Sequence, residues 1–254
     1  MKQITLRVAL AVAGSLASVA PVVAAEPAKP TIVLVHGTFA DALGWQRVIP
    51  ILQHDGYHVV AVENPLQSLQ GDVETTKRVV DAQPGSVVLV GHSYGGAVIT
   101  GAAAGNSKVK ALVFLAAITP DGGEPVAAFL DKYPTDLAKA QNVDAGGFVS
   151  IDPAKFQGVF AADLPATDAA VAAATQKPIA ASAFGASVPV AAWKTIPSWY
   201  VVSRQDHALS PDLERFYAKR MNAHTIELDA SHVAFISRPK EIAKIIEEAA
   251  TSVK

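Results

Sequence analysis

The sequence predicts an α/β fold: about six mostly parallel strands with helices on both faces, and a small helical cap inserted after the fourth strand. Three observations carry this. Short apolar runs alternate with amphipathic segments through the first half of the chain, the pattern of strands joined by crossover helices. Those runs are apolar nearly throughout, as strands covered on both faces are. Between 119 and 194 the rhythm lapses, over a length too great for a plain loop. The chain thus divides into a leader, 1–25, a core, 26–118 and 195–254, and a cap, 119–194.

The leader has a positive start at Lys2 and Arg7, an apolar alanine-rich stretch over 8–23, and small residues at Ala24 and Ala25. That order reads as a secretory signal peptide cut after Ala25. Gly14, Ser15, Ser18 and Pro21 interrupt the stretch, and it is short for a membrane span. The expected location is periplasmic or secreted, with no membrane attachment after cleavage. The chain has no cysteine, which excludes disulfides, thiolate metal sites and a cysteine nucleophile.

Within the core, residues 31–35, 57–62, 86–90 and 109–116 read as the first four strands, and 198–202 and 225–228 as the last two. Helical spacing covers 45–52 through Trp45, Val48, Ile49 and Leu52, and 72–82 through Val73, Thr76, Val79 and Val80. A further helix is expected over 93–104. Ser210-Pro211 and Ser237-Arg238-Pro239 each open a helix with proline in the first turn. Ile242, Ile245, Ile246 and Ala249 form the apolar stripe of the last one. The cap mixes alanine and proline with scattered aromatics and sits after a strand, so it should cover the carboxyl edge of the sheet, where ligands bind in open α/β folds.

The chemistry-bearing motif is Gly91-His92-Ser93-Tyr94-Gly95, directly after the third strand. A serine on a sharp strand-to-helix turn presents its hydroxyl for attack on a carbonyl, and the glycines let the turn pass close to its neighbours. Such a serine needs a base, and the base an orienting acid, both from loops at the same edge. The fifth strand runs into Ser203-Arg204-Gln205-Asp206 and the sixth into Asp229-Ala230-Ser231-His232. Asp206 and His232 are the candidates, with Asp121 as rival acid and His207 as rival base. Asp229 lies too close to His232 in sequence to face it easily. His36 and His92 sit within strand-end motifs that suit packing, His54 and His58 flank a far turn, and His224 opens a strand at the wrong end. The oxyanion needs two donors. The Tyr94 N–H is one; the other comes from His36-Gly37-Thr38-Phe39, with Thr38 first and Phe39 in reserve.

These anchors, with Gly96 and Ala230-Ser231-His232, resemble the α/β-hydrolase superfamily, and its small-capped branch of plant methyl esterases, hydroxynitrile lyases and exported bacterial hydrolases. The order serine, acid, histidine is that of the superfamily. The resemblance implies a Ser93-His232-Asp206 triad, the oxyanion donors Thr38 and Tyr94, and no cofactor. Serine at the elbow argues against the dehalogenases and epoxide hydrolases that use aspartate there. Hydroxynitrile lyases of the branch carry lysine next to the histidine, where this chain has Val233. A serine carboxylic-ester hydrolase acting on small or medium apolar esters is expected. The alternatives are amide, lactone or carbon–carbon cleavage, a perhydrolase on the same triad, or a hydrolase-like receptor.

Composition narrows the partners. Half the residues are hydrophobic and the net charge is −2, which gives no basic face for nucleic acid. No histidine pair has zinc spacing and no glycine-rich phosphate loop is present, so no metal is expected. Two Ser-x-x-Lys matches, at Ser107 and Ser237, lack companion motifs. Oligomeric state and substrate-binding residues are not legible.

Overall fold

A computed structural model describes residues 29–253 of the 254. The expected signal peptide lies outside the described residues. Strand β1 (Thr31–Val35) is followed by a 3-10 turn at Ala42–Arg47 and helix α1 (Ile49–His54). Then come β2 (Val59–Val62), α2 (Leu69–Asp81), β3 (Val87–His92), α3 (Gly95–Ala102) and β4 (Val109–Leu115). The cap carries β5 (Gln141–Val143), β6 (Phe148–Ile151), α4 (Pro153–Phe160), α5 (Ala166–Thr175), β7 (Ile179–Ala180) and α6 (Ser182–Gly185). The core resumes with β8 (Ser198–Ser203), α7 (Pro211–Arg220), β9 (His224–Leu228), α8 (Ala234–Ser237) and α9 (Pro239–Ser252).

The main sheet runs β2-β1-β3-β4-β8-β9, and every pairing in it is parallel. The chain moves one way from β1 to β2 and the other way from β2 to β3. Right-handed crossovers therefore place α1 on one face and α2 and α3 on the other. The last helix, α9, packs on β3 and β4 beside α1, and its stripe of Ile242, Ile245, Ile246 and Ala249 is buried. Every residue of β1, β3 and β8 is buried, which is why these strands lack polar alternation. Each fully buried Val or Leu here contributes about 1.5–3 kcal/mol. Among the described residues, no helix is long and apolar enough to cross a membrane.

Three expectations need correction. The segment expected as one helix over 45–52 is a 3-10 turn and a short helix, because Pro50 lacks an N–H and fits only the first turn of a new helix. The helix after the motif begins at Gly95 rather than Ser93, because Ser93 is held outside helical geometry. The cap is also not purely helical. Its strands form a three-stranded antiparallel sheet, β5-β6-β7. A turn at 144–147 makes its first hairpin: the Asp144 carboxylate accepts from the N–H groups of Gly146 and Phe148 at 2.8 and 2.9 Å, and Gly147 has φ +76°.

Candidate active site

The motif places Ser93 just past the end of β3 in the left-handed region, φ +55°, a conformation costing a non-glycine residue about 1–3 kcal/mol. Its backbone is pinned there. The N–H donates to Leu115 O at 3.1 Å, and the carbonyl accepts from Gly96 N at 2.9 Å and Ile118 N at 3.0 Å. The turn tolerates no side chain at Gly95, where a Cβ would lie 2.6 Å from Val35 O. At Gly37 a Cβ would meet the Ser93 Cβ at 2.6 Å, so the loop after β1 passes directly against the serine.

The loops after β8 and β9 bring Asp206 and His232 together. Asp206 Oδ2 lies 2.5 Å from His232 Nδ1, and both residues are buried. The other oxygen, Oδ1, accepts from the N–H groups of Ala208 and Leu209 at 2.6 and 2.9 Å. The carboxylate is thus held by its own loop while it faces the imidazole. With Nδ1–H donating to Asp206, the Nε2 lone pair is free to take a proton. Ser93, Thr38, Tyr94 and His232 line one small cavity of about 40 Å³ with Phe39 and Phe160. No hydrogen bond joins the Ser93 hydroxyl to His232 among the described residues. In many enzymes that contact tightens only with substrate in place.

The rivals lie elsewhere. Asp121 pairs with Lys194 Nζ at 2.5 Å, and that ion pair, largest among the causes, lowers its pKa. Asp229 pairs with Arg204 at 2.7 Å, and His207 is exposed. His54, His58 and His224 are exposed as well. Phe39, the reserve donor, has spent its N–H on Lys177 O at 3.2 Å. The N–H groups of Thr38 and Tyr94 have no acceptor among the described residues.

The two other buried histidines serve the backbone. His36 Nδ1–H donates to Gly37 O at 2.8 Å, and its Nε2 accepts from Asn64 N at 2.9 Å, which requires a neutral ring. Burial lowers its pKa accordingly. His92 Nε2–H donates to His232 O at 2.9 Å, and its ring lies 4.7 Å from that of His232. Burial first, then His232, pushes the His92 pKa well below 6.5.

Several supporting residues escaped the sequence reading. The cap residue Asp163 accepts from the Ser231 N–H at 3.0 Å and from its hydroxyl, tying the cap to the loop that carries His232. Phe160, also from the cap, lies 4.8 Å from the imidazole. Lys177 bridges Glu63 at 2.8 Å and Asn64 O, so the cap also clamps the loop region beside Thr38. The Tyr94 hydroxyl donates to buried Asp72 at 2.7 Å, anchoring the residue after the serine. None of these has a local pattern; each is a pairing made only by folding. Among the described residues, no three His, Cys, Asp or Glu side chains cluster as metal ligands.

The chain matches the model of the "Alpha/beta hydrolase family" over residues 32–245. It is 34% identical to an alpha-hydroxynitrile lyase of Arabidopsis thaliana over a stretch covering 41% of this chain and 46% of that one. It is 30% identical to Methylesterase 1 of the same plant, over 44% of this chain and 48% of that one. The matched stretch thus spans just under half the length of each of these two relatives. The structure of a pyrethroid hydrolase from Sphingobium faniae superposes with a TM-score of 0.75 at 23% identity, covering 88% of this chain and 98% of that one, a likeness of fold.

Proposed function

The chain belongs to the alpha/beta hydrolase family, and from that membership we propose that it is a serine carboxylic-ester hydrolase acting on small or medium apolar esters. The observation that carries the proposal is the His232–Asp206 pair at 2.5 Å, with His232 and the strained Ser93 on one cavity. A methylesterase among the relatives supports the same reaction type.

In this reading the Ser93 hydroxyl attacks the ester carbonyl carbon while its proton passes to His232 Nε2. The carbonyl oxygen becomes an oxyanion and accepts from the N–H groups of Thr38 and Tyr94, each worth about 3–4 kcal/mol at the transition state. The tetrahedral species collapses, the bond to the alcohol oxygen breaks, and His232 returns its proton to that oxygen. Water then gives a proton to His232 and attacks the acyl carbon, and the same steps release the acid and restore Ser93. Asp206 holds the imidazole and stabilises its charged form. Lyase chemistry is disfavoured because the residue after His232 is Val233, buried and apolar, which offers no positive charge to a departing anion.

The test is hydrolysis of p-nitrophenyl esters across acyl lengths. Multiple turnovers with a preference for short or medium chains are expected. Stoichiometric release without turnover, or none, would overturn the reading in favour of a receptor.

A further inference from the structure

The cavity that holds Ser93 is too small for the substrates just proposed. At about 40 Å³ it has room for about three water-sized groups, each needing about 10–15 Å³. A second cavity of about 240 Å³ lies next to it, between the cap helices α4 and α5 and the 3-10 turn after β1. Phe39 and Phe160 wall both cavities, meeting edge to face with ring centroids 6.1 Å apart. The two rings are therefore a partition between a reaction chamber and a larger apolar chamber.

The second cavity also lies on the histidine side. Val233, Phe235 and Ile236, which follow His232 in sequence, line it, and Phe160 rests against the imidazole. The group that departs in an ester hydrolysis is the one that receives the proton from His232. Resting on the ester-hydrolase reading, we propose that this second cavity is the subsite for an uncharged, apolar alcohol part of the substrate. The alcohol reaches it when the Phe160 ring swings aside.

The charged groups at its mouth, Asp41, Arg47 and Asp168, fit an uncharged occupant because each is already engaged. Asp41 accepts from the N–H groups of Leu43 and Gly44 at 2.9 and 3.3 Å. Arg47 pairs with Asp168 at 2.6 Å and donates to Ile236 O at 3.1 Å. Leu43 and Val171, two large apolar residues left 65% and 64% exposed, also line it. An apolar rim of this kind marks a place where an apolar group docks.

The test compares methyl acetate with 1-naphthyl acetate, which share an acyl group and differ in the alcohol. Ala172→Phe fills the cavity from α5, and Leu43→Asp puts a charge on its exposed rim, where folding is undisturbed. In either variant the kcat/KM ratio of the naphthyl to the methyl ester should fall by about 10-fold or more. An unchanged ratio overturns the proposal. So does a loss seen instead with methyl octanoate, which would make the cavity an acyl pocket. Calorimetric titration with 1-naphthol separates this from the parent reading. If no ester is turned over, the hydrolase reading fails, yet 1-naphthol binding that the variants weaken would still uphold the subsite. Absence of 1-naphthol binding to the parent protein would overturn it.

Discussion

His232 Nδ1 and Asp206 Oδ2 stand 2.5 Å apart, and the second oxygen of the same carboxylate is bound by two backbone N–H groups of its own loop. The two ends of Asp206 therefore have different jobs. One fixes the side chain, and the other sets which imidazole nitrogen carries the proton.

Asp206→Asn separates those jobs. The amide oxygen must face the N–H groups of Ala208 and Leu209, which leaves the NH₂ against His232 Nδ1. That nitrogen then has to accept, so the proton moves to Nε2 and the base is lost. The variant should fold with near-parental stability and lose about 10⁴-fold in kcat for a simple ester. A loss below about 10-fold would mean that the acid is not positioning the base.

Gly37→Ala tests the approach of the oxyanion loop. The new Cβ would sit 2.6 Å from the Ser93 Cβ and 2.8 Å from His92 O. Overpacking of this kind costs about 1–3 kcal/mol, and relief requires the loop carrying Thr38 to move away. The expected result is a drop in kcat of about 100-fold, from a misplaced donor, with a thermal midpoint lowered by several degrees. Full activity would show that the Thr38 N–H plays no part.

His92 predicts an acid weakness. Burial holds its folded pKa well below 6.5, whereas the unfolded side chain titrates near 6.5. Above pH 6.5 both states are neutral and nothing is lost. As pH falls below it, the unfolded chain binds a proton that the folded chain refuses, so stability falls by up to about 1.4 kcal/mol per pH unit for this group. His36, lowered by burial too, adds in the same direction. His92→Gln keeps a donor within reach of His232 O and removes one titrating group. Urea unfolding at pH 7 and pH 5 should show a shallower loss for the variant; an equal loss in both proteins would contradict the assignment.

The central sheet, and the placement of Ser93, Asp206 and His232 at its carboxyl edge, were legible because each has a local cause. Buried parallel strands must be apolar throughout, a strained turn needs glycines around Ser93, and Asp206 and His232 sit at the carboxyl ends of recognisable strands. The cap was not legible in the same way. Its strands are only three, four and two residues long, too short for periodicity to appear. Asp163 and Lys177 act through partners 68 and 113 or more residues away, and such pairings leave no spacing in the chain. Phe39 had the right position for a donor; only folding revealed that Lys177 O already holds its N–H.

The most direct test of the account is to identify the nucleophile. A fluorophosphonate should label the protein once per chain, and peptide mass spectrometry should find the adduct on Ser93. Ser93→Ala should take no label and lose about 10⁴-fold or more in ester turnover while remaining folded. An adduct on any other residue, or undiminished turnover by that variant, would contradict it.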